Sequence, residues 1–72
     1  MDRRTLLERL FEAQKYADRG DELIDEQKQI IATLKATGAD VREAEKTLKA
    51  FEQSQARRLR EIESIMEKLP PR

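Results

Sequence analysis

Apolar residues recur along the first half of the chain at alternating steps of four and three: Leu6, Leu10, Ala13, Ala17, Gly20, Ile24, Gln27, Ile31 and Leu34. On a helix of 3.6 residues per turn this spacing gathers all of them into one stripe, which predicts a long helix over about residues 3–37 with an unbroken heptad seam. Between Thr5 and Ala36 there is no proline and one glycine, and Glu, Lys, Gln, Leu and Ala are frequent, all compatible with a continuous helix. Gly20 is its weakest point.

The second half repeats the pattern through Val41, Ala44, Leu48, Phe51 and Gln55, then through Arg58 or Leu59, Ile62, Ile65 or Met66, and Leu69. Taking Leu59 gives two successive steps of four, a stutter that would locally unwind a left-handed supercoil. This second helix is expected over about residues 40–69, stopped by Pro70-Pro71.

Between the two patterns, Gly38 suits the left-handed conformation at a helix C-terminus, and Lys35 suits the negative end of the helix dipole. Asp40, with Glu43 three residues on, reads as an N-cap and capping box for the next helix. A turn at residues 38–39 then folds the two seams into one antiparallel register. Leu34 faces Val41, Ile31 faces Ala44, Gln27 faces Leu48, Ile24 faces Phe51, and Gly20 faces Gln55. Ala13 falls opposite Ile62 and Leu6 opposite Leu69, so that large residues meet small ones through much of the middle. Lys28 is expected near Glu45 and Glu52, and Arg9 near Glu61. The fold class is all-α, an antiparallel two-helix coiled-coil hairpin spanning residues 1–72.

Composition changes this picture in two ways. A chain of 72 residues, 42% of them charged, has little apolar surface to bury, and a partner chain is the usual remedy. The seam also leaves apolar residues over. Tyr16, Leu23 and Ile30 sit beside it on the first helix, with Thr47 and Ser54 on the matching edge of the second, and this edge is nearly free of charge. It is the candidate interface of a homodimer, most simply a four-helix bundle of two hairpins. Leu7, Phe11 and Met66 suit a second, smaller contact near the open end.

Fifteen basic and fifteen acidic residues balance to a formal charge of zero, which disfavours whole-molecule attraction to nucleic acid or an anionic membrane. The absence of cysteine and histidine removes the commonest nucleophile, base and metal ligands, so neither an enzyme nor a cofactor or metal protein is expected. Charges interrupt the apolar residues near the N-terminus, no long apolar stretch occurs, and a cytoplasmic location is the expectation. Arg57, Arg58 and Arg60 form a basic cluster that reads first as a paired, solvated surface, the alternative being a hairpin dimer that binds the phosphates of nucleic acid. The acidic stretch Asp18, Asp21, Glu22, Asp25 and Glu26 lacks the glycine-containing loop of a calcium site and reads as a solvated helix face. Gln27 and Gln55 are polar seam positions of the kind that fix register, and Gln55 can place its amide in the space left at Gly20. The function these features support is a protein interaction or regulatory adaptor module, with a larger protein as possible partner.

The run Gly20-Asp21-Glu22-Leu23-Ile24-Asp25-Glu26-Gln27-Lys28-Gln29-Ile30-Ile31-Ala32, followed by Leu34, Gly38, Asp40, Ala44, Leu48, Phe51-Glu52 and Ser54-Gln55-Ala56, resembles short uncharacterised proteins of alphaproteobacterial genomes. The resemblance spans about half of the chain and implies a helical hairpin without an assigned activity. Relatives of that kind often carry histidines, and this chain has none.

Overall fold

Asp2 opens the first helix in the computed structural model, which describes residues 2–70. Its extended backbone and side chain form an N-cap, the carboxylate accepting from the Thr5 N–H at 2.8 Å. That bond holds the Asp2 carboxyl below its ordinary pKa, because an ionised acceptor is favoured there. Helix α1 then runs without interruption over Arg3–Ala36, Gly20 included.

Its C-terminus is closed by a Schellman motif. Gly38 takes φ +75°, its N–H donates to Lys35 O at 3.1 Å, and the Ala39 N–H donates to Leu34 O at 2.9 Å. Thr37 adds a hydroxyl bond to Leu34 O at 3.0 Å. Glycine is needed here because a Cβ at this φ would crowd the following carbonyl.

Helix α2 covers Arg42–Lys68, so it starts two residues later than the expected position 40, and Val41 rather than Asp40 is the capping residue. The Asp40 carboxylate accepts from the Arg42 N–H at 3.0 Å, two residues on, and is clasped by the Arg42 guanidinium at 2.8 Å. This Asx turn replaces the expected capping box, and Glu43 instead reaches Lys46. At the other end Leu69 turns extended ahead of Pro70, as the pyrrolidine ring demands of the preceding residue. The rest of the expected proline stop, Pro71 with Arg72, lies outside the described residues, as does Met1.

The two helices pack antiparallel along one seam, making an all-α hairpin about 55 Å long and 15 Å thick. Every expected seam position of α1, from Leu6 to Leu34, is buried or half-buried. On α2 the two open choices are decided. Arg58 is half-buried while Leu59 is 50% exposed, and Ile65 is 4% exposed while Met66 is 57% exposed. The seam therefore continues in steps of three and four through Gln55, Arg58, Ile62, Ile65 and Leu69, and the expected stutter is absent. Arginine fits because Gly20 has no side chain, so the Arg58 guanidinium Nη1 lies close to where a Cβ of residue 20 would stand.

Apolar burial is deepest at the open end, where Leu6, Ala13 and Ile65 cluster with Leu10, Ile62 and Leu69. The middle is polar. Gln55 Nε2 donates to Ala17 O at 2.7 Å and to Asp21 Oδ1 at 2.9 Å, and Gln27 Nε2 donates to Ala44 O at 2.9 Å. Each carbonyl belongs to the opposite helix and offers its second lone pair, so the two glutamines tie the helices together in both directions. The Gln55 Oε1 atom is buried without a hydrogen-bond partner and occupies the space where a Gly20 Cβ would stand.

Candidate functional site

Steps of seven residues carry Tyr16, Leu23 and Ile30 along one edge of α1, just outside the seam. Tyr16 is 58% exposed, Ile30 is 49% exposed and Leu23 is half-buried. On α2, Thr47 is exposed and bonds back to Glu43 O at 3.2 Å, while Ser54 is half-buried and accepts from Arg57 at 3.5 Å. The apolar bulk of the five candidate interface residues thus stands on α1, and the small hydroxyl residues stand on α2.

Two open grooves mark this edge. One, of about 740 Å³, is lined by Ala13, Tyr16, Phe11, Arg58 and Glu61 among others, and the second, of about 510 Å³, surrounds Ile30 beside Glu26, Thr33 and Leu34. Arg9 and Glu61, expected as neighbours, line the same groove. Phe11, 75% exposed, lines the groove beside Tyr16, and Leu7, Leu59 and Met66 are exposed outside it.

The three arginines do not share one face. Arg58 is drawn into the seam over Gly20, while Arg57 and Arg60 stay exposed on the outside of α2. In the acidic stretch, Glu22 and Glu26 pair with Arg19 at 2.9 and 4.0 Å, and Asp21 is taken up by Gln55. Among the described residues no group of His, Cys, Asp or Glu side chains is placed to hold a metal ion, and no helix is long and apolar enough to cross a membrane. Lys28 forms no ion pair with Glu45 or Glu52 among the described residues; the ion pairs Arg4–Glu8, Arg19–Glu22 and Lys46–Glu43 each run along a single helix. Exposed pairs of this kind contribute only about 0.2–1 kcal/mol.

Sequence reasoning missed the role of Asp21, which looked like one more solvated carboxylate. Its position next to Gly20, on the flank that passes Gln55, was the available signal. No family model matches the chain, and no curated protein or solved structure proved similar to it.

Proposed function

We propose that the chain is a non-enzymatic protein-interaction module: a homodimer in which two hairpins form a four-helix bundle, with charged outer faces that dock a larger protein, as a small regulatory or adaptor subunit does. The observation that carries this reading is the apolar edge. Tyr16 and Ile30 are 58% and 49% exposed on a stripe nearly free of charge, and among the described residues no large side chain is fully buried. The surface area agrees in size. The hairpin exposes 5851 Å², against about 4,600 Å² for a compact monomer of its mass. The excess, about 1,250 Å², is larger than the roughly 800 Å² that each partner buries in a standard interface, so the hairpin has the area to give up. A sequence without histidine or cysteine supports the non-enzymatic part.

The test is solution mass across a dilution series, with helicity followed by circular dichroism in the same samples. A dimer that loses helicity as it dissociates is the expected result. A helical monomer, stable at micromolar concentration, would overturn the homodimer.

The rival is a nucleic-acid-binding hairpin dimer using Arg57, Arg58 and Arg60. Withdrawal of Arg58 into the seam counts against it, and steep salt-dependent binding of RNA or DNA would reinstate it.

A further inference from the structure

Charge and side-chain size along the apolar edge are arranged symmetrically about its centre. Tyr16 and Ile30 each lie seven residues from Leu23, and on the next stripe outward Arg19 lies four residues before Leu23 and Glu26 three after. On α2 the pattern recurs about Ala50. Glu43 and Arg57 each lie seven residues away, with Thr47 and Ser54 between them and Ala50. Leu23 and Ala50 are the chain neighbours of Ile24 and Phe51, which face each other in the register that the Gly20–Gln55 contact anchors. One axis therefore passes both centres.

We infer that the occupant of this edge is a second copy of the chain, docked antiparallel about a two-fold axis through Leu23 and Ala50, so that α1 packs on α1 and α2 on α2. The inference rests on the homodimer reading and adds the face, the axis and the orientation. A two-fold interface is self-complementary, so whatever lies a given distance above the axis meets what lies that distance below it. Tyr16 then meets Ile30 of the second copy, each beside the groove that the other lines. Arg19 meets Glu26 of the second copy and Glu43 meets Arg57 of the second copy, each pair formed twice. Between the two α2 helices stand only Thr47, Ala50 and Ser54, small enough for close approach. Arg19, Glu26, Glu43 and Arg57 are all exposed in the single hairpin. Within it Arg19 pairs with Glu22 at 2.9 Å and only loosely with Glu26 at 4.0 Å, Glu43 pairs with Lys46, and Arg57 bonds to Ser54, which leaves acceptor and donor capacity over.

The competing dimer sets the two hairpins side by side with their turns at the same end, so that α1 packs on α2 of the second copy. There Arg19 falls level with Arg57 of the second copy, because Gly20 lies against Gln55 and Arg58 within each hairpin. Two contacts between arginines replace the four attractive ones, while the like-charged pair of the proposed dimer, Glu61 level with Asp40 of the second copy, is relieved by Arg42, which already holds the Asp40 carboxylate. Exposed charges add little attraction, but they choose between orientations that bury the same apolar residues.

Two variants of the full chain separate the outcomes. The protein has no cysteine, so Leu23→Cys places one thiol on the proposed axis, where it meets its own copy within disulfide reach. Mild oxidation is expected to give a covalent dimer that keeps its helicity. Arg57→Glu is expected to raise the dimer dissociation constant about tenfold, since it sets carboxylates against Glu43, and adding Glu43→Arg should restore most of the affinity. In the side-by-side dimer the same Arg57→Glu change would tighten association, because it removes the contact between arginines. A dimer that Leu23→Cys fails to cross-link and that Arg57→Glu tightens would overturn the axis while leaving the homodimer intact. A monomer at all concentrations would overturn both.

Discussion

The two halves of the seam nearest the chain ends and the middle solve opposite problems. At the open end, Leu6, Leu10, Ala13, Ile62, Ile65 and Leu69 bury apolar surface with no polar atom among their side chains. In the middle, Gly20 and Ala17 contribute almost no apolar surface, and the contact is made by a glutamine amide seated where a glycine lacks its Cβ. Apolar packing is strong but indifferent to a shift of one heptad. The amide is weaker but fits only one register, because the pocket, the Ala17 carbonyl and the Asp21 carboxylate occur together at one level. Energy comes from one region and alignment from the other.

The comparison is broken most severely by Ile65→Ala, which removes the best-buried large side chain of α2. It should cost about 2–4 kcal/mol at fixed protein concentration in urea unfolding. Met66→Ala, one residue on and exposed, should stay within about 0.5 kcal/mol. Equal losses at the two positions would mean that α2 is rotated from the seam described.

A smaller effect, and a sharper one, is expected from Gly20→Ala. The new methyl must expel the Gln55 amide, losing two hydrogen bonds worth about 1 kcal/mol each, while helix propensity returns about 1 kcal/mol. A net loss of about 1 kcal/mol follows. In a Gln55→Ala background the clash with the amide is gone and only the end of the flexible Arg58 side chain must shift, so the same Gly20→Ala change should instead stabilise by up to about 1 kcal/mol. Failure of the sign to invert in thermal or urea unfolding would show that the amide does not occupy the glycine site.

Smallest is the effect of acid on the caps. The Asp2 carboxyl, bonded to the Thr5 N–H, and the Asp40 carboxyl, held chiefly by the Arg42 guanidinium, both titrate below their ordinary 3.8. A lowered folded pKa means that the contribution is present above the unfolded value and disappears as pH falls through the folded one. The Thr5 and Arg42 amide resonances should therefore hold steady down to about pH 4 and move together with the two carboxylates below it. Movement centred well above pH 4 would remove these caps.

Much of the fold was legible in the chain because heptad spacing and turn chemistry are local. The seam of α1, the turn at Gly38, the facing of Gly20 and Gln55, and the edge bearing Tyr16, Leu23 and Ile30 all follow from residue spacing. Two positions on α2 did not. Leu59 is more hydrophobic than Arg58, and Met66 is apolar like its neighbour Ile65, so hydropathy alone could not place the seam after Gln55. The candidate arginine cluster dissolved for the same reason, since the seam position after Gln55 is taken by Arg58, whose guanidinium fits against the bare Gly20.

The sequence by itself determined that two amphipathic helices reverse at a glycine and which residues of α1 face inward, because these depend on periodicity and on the freedom of one backbone position. The tertiary structure decided that Arg58 and Ile65 line the seam, that Asp40 turns toward Arg42 instead of capping α2, and that Asp21 and the two glutamines bind across the interface. Those outcomes depend on what stands on the opposite helix at each level, through the space left by Gly20 and the free lone pairs of the Ala17 and Ala44 carbonyls.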